Sequence, residues 1–151
     1  MDKINFTNGK APAINATNLN QMQTNVEAAI ETAKNELKEV VLYESEGSKE
    51  NITLNDSVEN YYKIVIYYGN LTFNRHNSTE IINPNGKQTT LTTNMRYSDN
   101  NAFYTYFDDV SISGVNINQI AGGYFAVQTT GGIEYYYNAN QISIYKVVGY
   151  K

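Results

Sequence analysis

The chain holds a single histidine, His76, and no cysteine. Any histidine-based nucleophile system would therefore rest on His76 alone. Ser78 lies only two positions away along the chain, and no glycine elbow surrounds any serine, so the triad geometry has no visible partner. Within Phe73-Asn74-Arg75-His76-Asn77-Ser78-Thr79 the histidine reads as an exposed loop residue. The absence of cysteine removes disulfides, thiolate nucleophiles and thiolate metal sites. Two glycine pairs, Gly122-Gly123 and Gly131-Gly132, sit between β segments. They lack the strand-to-helix setting of a phosphate loop and read as turn or close-approach positions. Carboxylates gather at Asp99, Asp108 and Asp109, and again at Asp56 and Glu59. A facing pair of carboxylates could hydrolyse a glycosidic bond, and such oxygens also suit calcium. No twelve-residue calcium loop is present, and Asp108-Asp109 after Phe-Tyr-Thr-Tyr-Phe reads as a solvated turn. The expectation is a protein with no catalytic residues, no cofactor and no metal.

Tyrosine is the more informative residue. There are 14, with no tryptophan. A run such as Tyr135-Tyr136-Tyr137 places rings on both faces of a strand, so at least one ring meets solvent, a neighbour or a ligand. Tyrosine beside Asn, Asp and Gln offers what a glycan requires: a flat apolar platform for the sugar ring and planar hydrogen-bonding groups for its hydroxyls. The densest such mixture lies between Asn94 and Asp109. There Tyr97 would supply the platform, Asp99 and Asn101 would meet the hydroxyls, and Tyr104 and Asp108 would complete the site. Tyr135 to Asn138 competes with it. A plainer reading of the same stretch has Tyr104 and Tyr106 on one face of a buried strand, with Phe103 and Phe107 on the other. Base stacking is disfavoured by the net charge of −4 and the scarcity of arginine.

These residues need elements to hold them. With 151 residues, the chain is long enough for one domain and an appendage. Charged residues are 17%, below the usual share of about 25%, and Asn, Thr, Ser and Tyr take their place. Residues 1–15 read as an extended polar arm, with a turn at Asn8-Gly9 and Pro12 disfavouring helix. An amphipathic helix follows. Its apolar stripe is Leu19, Met22, Val26, Ile30, Ala33 and Leu37, continuing to Val40, with steps of three and four. Such a stripe of about three heptads suits a self-associating helix; it also suits a helix lying on its own β-domain. From Val40 onward the pattern is β: 40–44, 51–57, 61–69, 71–75 as a pairing partner of 61–69, 79–83, 88–97, 101–110, 111–118, 120–130, 133–138 and 141–151. Tyr62, Ile64, Ile66 and Tyr68 alternate cleanly, and Asn83-Pro84-Asn85-Gly86 is a turn. Gly114 reads as a bulge or bend. Ile142, Ile144 and Val148 read as one face of the last strand. The expected architecture is mainly β: an N-terminal α-helix forming a trimeric stem (residues 1–40), then an antiparallel, jelly-roll-like β-sandwich head (residues 41–151) of about eight to ten strands. No run could span a bilayer as a helix, and the N-terminus shows no signal-peptide core.

Lys-Ile-Asn-Phe-Thr-Asn-Gly-Lys-Ala-Pro-Ala-Ile-Asn-Ala-Thr-Asn-Leu-Asn-Gln-Met-Gln-Thr-Asn-Val-Glu-Ala-Ala-Ile (residues 3–30) resembles the N-terminal segment of tail and baseplate proteins in phages and prophages of Gram-positive bacteria. The shared order is a polar arm, the Pro12-Ala13-Ile14-Asn15-Ala16 run, then Leu19-Asn20 opening the helix. Residues 42–69 and the ending Gln141 to Lys151 also look like terminal domains of tail fibre or receptor-binding proteins. The resemblance implies a homotrimer in the virion tail, contacts with other tail or baseplate proteins, and recognition of a bacterial cell-wall polysaccharide or teichoic acid. The charge balance speaks against nucleic-acid binding, the lack of a spanning run against membrane insertion, and the lack of a signal-peptide core for production in the bacterial cytoplasm. A structural or adaptor tail protein without a glycan site is an alternative; a tail-tip polysaccharide hydrolase is another.

Overall fold

The computed structural model of the chain describes residues 16–36, 38–70, 75–96, 102–128, 131–137 and 140–151. Two units divide at residue 38, Met1–Lys38 and Glu39–Lys151.

In the first unit, α1 spans Ala16–Glu36. Leu, Met, Gln, Glu and Ala favour it, whereas three threonines and four asparagines weaken it. Local bonds offset part of that weakness: Gln21 Nε2 donates to Asn25 Oδ1 at 3.1 Å, and Gln23 Nε2 donates to Glu27 Oε1 at 2.8 Å. Lys34 in the last turn complements the helix dipole. Leu19, Met22, Val26 and Ile30 are each about half-exposed. Leu37 of the expected stripe lies outside the described residues.

The second unit is mainly β and sandwich-like. One antiparallel sheet holds β1 (Glu39–Ser48), β9 (Ser143–Tyr150), β3 (Lys63–Asn70) and β4 (Arg75–Ile82), in the order β1-β9-β3-β4. The other holds β2 (Ile52–Thr53), β7 (Asn116–Gln128), β6 (Ala102–Ser113) and β5 (Lys87–Arg96), in the order β2-β7-β6-β5. There β8 (Ile133–Tyr137) pairs with β7 further along. One core lies between the sheets. Leu42, Ile64, Ile66, Ile144 and Val147 come from the first, and Ile52, Leu91, Val110, Ile112 and Ile117 from the second. Alternation in β3 sends Ile64, Ile66 and Tyr68 into it, as the period-two pattern predicts. The chain crosses from β4 to β5 through Asn83 to Gly86. Asn83 (φ 49°) and Gly86 (φ 72°) occupy the left-handed region that Asn and Gly tolerate best. Asn85 clamps this corner, its Nδ2 donating to Glu59 Oε1 at 2.8 Å and its Oδ1 accepting from Gly114 N at 3.1 Å.

Three local readings are corrected. Gly114 (φ 55°) is not a bulge but part of the two-residue turn joining β6 to β7, where Ser113 pairs with Asn116. Residues 102–113 therefore form one strand rather than parts of two. The bulge in this pair is at Ile120, which is skipped when Asp109 pairs with Ala121 and Val110 with Gln119. In β9 a further bulge at Tyr145 shifts the pairing from Tyr68–Ile144 to Tyr67–Lys146. Parity then reverses, so Val147 rather than Val148 joins Ile142 and Ile144 in the core. Val148 is nonetheless fully buried, paired with Val41 and Val65 on the outer face. Flanking charges lie along that face. Lys63 bonds Glu80 at 2.7 Å with its ammonium 4.6 Å from the Tyr150 ring centre, and Lys146 meets Glu39 at 3.5 Å. Long stems of this kind cover apolar atoms while their heads stay wet.

Gly149 is required by a close approach. A Cβ there would run into the ring of Tyr61, which is buried and tied by its hydroxyl to Asp56 Oδ2 at 3.0 Å. Gly149→Ala is expected to cost about 2 kcal/mol, as overpacking does, measured by urea denaturation. The double variant Gly149→Ala, Tyr61→Leu should recover part of that loss.

Candidate functional site

Tyr97, Asp99 and Asn101 lie outside the described residues. Tyr104 and Asp108 both lie on the inner face of β6, with Tyr106, Val110 and Ile112. This is the alternation that puts Phe103 and Phe107 on the opposite face. The half-buried ring of Tyr104 stacks 6.1 Å from Tyr106 and lies 5.7 Å from Tyr124; Tyr136 stacks on Tyr124 at 5.3 Å. Asp108 is no solvated turn residue and presents no surface for a ligand, because its side chain is fully buried. Its Oδ1 accepts from Gln141 N at 3.0 Å and its Oδ2 from Ile142 N at 2.8 Å. Burial pushes its carboxyl up to about 6, and those two backbone donors offset part of the shift. Asp108 thus ties β6 to the segment leading into β9, in the opposite sheet.

The other carboxylates are also engaged locally. Asp56 accepts from Tyr61, from Ser57 N and from Asn60 Nδ2. The Tyr61 hydroxyl, then Ser57 and Asn60, hold its carboxyl below the usual value. Asp109 accepts from Thr90 Oγ1 at 2.6 Å.

Two surfaces stand out among the described residues. The first is a cleft of about 670 Å³ at the seam where the edge strands β4 and β5 of the two sheets approach. It is lined by Tyr68, Arg75, His76, Asn77, Ser78, Thr92, Thr93 and Asn94. Register explains its inward-facing part, while His76 and Ser78 alternate to the other face of β4. Tyr68 pairs with Asn77 and Asn70 with Arg75, and cross-strand partners share a face. Since Tyr68 faces the core, Asn77 and Arg75 turn inward at the open seam. Asn77 Nδ2 bridges the two edges by donating to Thr92 O at 3.1 Å. Buried Tyr68 and Thr93 line its inner part. Asn94 Oδ1 accepts from Thr105 Oγ1 at 2.7 Å, which fixes its amide. His76 stands on β4 opposite Gly69 rather than in a loop, its ring edge-on to Tyr145 at 5.3 Å. Among the described residues no carboxylate lines this cleft.

The second surface is the outer face of the other sheet near β8. Register aligns Phe103 with Val127 and Ile133, Phe125 with Tyr135, and Phe107 with Gly123 and Tyr137. Phe107 meets Tyr137 edge-on at 5.9 Å, and Phe125 meets Tyr135 at 6.4 Å. Tyr135 is 64% and Tyr137 71% exposed. This is the Tyr135 to Asn138 stretch of the sequence reading, with Asn138 outside the described residues. Phe103, Phe107 and Phe125 extend it, although they are distant in sequence from β8.

Sequence reasoning missed the seam cleft. Its residues come from two strands in different sheets, and Arg75, Asn77, Thr92 and Asn94 carry no local motif. The only signal available was the cluster of polar side chains in residues 75–78, ahead of a recognisable turn.

Comparison of the chain with protein-family models, with curated proteins and with solved structures finds no match.

Proposed function

We propose that this protein is a non-catalytic attachment protein of a phage or prophage tail, whose sandwich head binds a bacterial cell-wall polysaccharide or teichoic acid at the seam cleft. The observation that carries this reading is the lining of that cleft. On its inward-facing positions it combines a tyrosine, a guanidinium, a carboxamide and a hydroxyl, from Tyr68, Arg75, Asn77 and Thr93, the mixture that meets sugar hydroxyls with fixed donors and acceptors.

The stem belongs to the same proposal. An isolated helix with this Asn and Thr content is marginal in water, and its half-exposed stripe is stabilised when three copies bury it together. Residues 3–30 support this through their resemblance to tail proteins. Several heads on one stem would turn weak single-site binding into firm attachment by avidity. The jelly-roll-like reading of the head rests on the changes of sheet at β1–β2, β2–β3, β4–β5 and β8–β9, with β1 beside β9; β5 to β8 run instead as a meander.

One observation favours a second reading, an adaptor between tail proteins. The exposed aromatic face around Phe103, Tyr135 and Tyr137 is the kind of patch that marks protein interfaces. Binding of fluorescently labelled protein to Gram-positive host cells, and its competition by purified wall glycan, separates the two. The attachment reading expects competed binding with the glycan left at its original length. No binding to any host wall, with capture by a tail protein instead, would favour the adaptor.

A further inference from the structure

We infer that the seam cleft selects a saccharide ring bearing a carboxylate, and that Arg75 is the residue that holds that carboxylate. The inference rests on the cleft being a saccharide site and names the class of sugar.

Arg75 occupies the inward-facing position of β4 opposite Asn70, beside Asn77. It makes no ion pair among the described residues. Elsewhere on the same sheet Lys63 and Lys146 are each matched to a glutamate. The cleft therefore offers a guanidinium with no described acid beside it, in a chain whose net charge is −4. A guanidinium is planar and presents paired N–H donors, which fit a planar carboxylate in a two-pronged contact. Arg75 is the one lysine or arginine in the described lining, and it balances one negative charge. A phosphate monoester carries about −1.5 to −2, so part of its charge would stay unmatched in an acidic protein. Around the guanidinium stand neutral groups suited to ring hydroxyls. Asn77 keeps its carbonyl oxygen after donating to Thr92, while Thr93 adds a hydroxyl. A charged anchor within a neutral polar cradle discriminates an acidic sugar from its neutral parent.

The test uses the full chain and a panel of methyl glycosides: gluco, galacto and manno uronides, their neutral parents and their 6-phosphates, titrated by NMR. At least one uronide should bind about tenfold more tightly than its neutral parent. Arg75→Ala should erase that difference, and Arg75→Lys should restore part of it. Equal binding of uronides and neutral parents overturns the inference and leaves the saccharide site standing. Tighter binding of the phosphates, or a preference that survives Arg75→Ala, also overturns it. If no member of the panel binds, the saccharide reading of the cleft falls as well.

Discussion

Asp108→Ala should destabilise the protein by about 2–4 kcal/mol, because it strands two buried backbone N–H groups at once. Those donors belong to Gln141 and Ile142, immediately before β9, and β9 lies between β1 and β3. The loss therefore loosens the attachment of a central strand rather than a surface loop. Asp108→Asn retains one acceptor and should cost less. The pH dependence gives an independent check. The folded carboxyl titrates at about 6, against about 3.9 for an unfolded aspartate. The folded state thus binds the proton more tightly. This contribution to stability is fully present below about pH 3.9 and is lost as pH rises through 6. Between pH 7 and pH 4.5 the wild type should gain about 2 kcal/mol relative to Asp108→Asn. Urea midpoints of both proteins at the two pH values measure this. A gap that narrows on acidification would contradict the burial of this carboxylate.

Asp108 also marks where sequence reading stops. Its partners lie 33 and 34 positions downstream, and no local pattern announces them. A paired Asp-Asp after an aromatic run reads as a solvated turn, yet period-two alternation was already carrying Tyr104, Tyr106 and Asp108 inward. The architecture was more legible than the sites. The helix, the alternation of Ile64, Ile66 and Tyr68, the Asn83 to Gly86 corner and the β7–β8 turn near Gly131-Gly132 were visible because each depends on neighbours in sequence. The bulge at Tyr145 was not, since the extra residue is defined only by pairing with Tyr67 and Tyr68. The seam cleft was hidden for the same reason: Asn77 meets Thr92 only after the chain has changed sheets.

The second large effect concerns the stem. Val26→Asp combined with Ile30→Asp should convert the proposed three-chain assembly into single chains at 10 µM, read by multi-angle light scattering. Charges cannot be buried in an apolar helix seam without several kcal/mol of desolvation per site. The thermal transition of Glu39–Lys151, followed by near-ultraviolet tyrosine dichroism, should stay nearly unchanged, because the sandwich has its own core. Binding to cells should fall far more than binding of a soluble wall fragment, as avidity is lost while each cleft survives. A wild-type protein that is already monomeric at that concentration would contradict the stem.

The central claim is that the seam between β4 and β5 is the surface that meets the host wall. Amide chemical-shift mapping of the full-length labelled protein during titration with purified host wall saccharide addresses this directly. Shifts should concentrate at Arg75 to Ser78 and Thr92 to Asn94, and Asn77→Ala should suppress them without unfolding the sandwich. Shifts confined instead to Phe103, Phe107, Phe125 and Ile133 to Tyr137 would contradict the account and place recognition on the aromatic face.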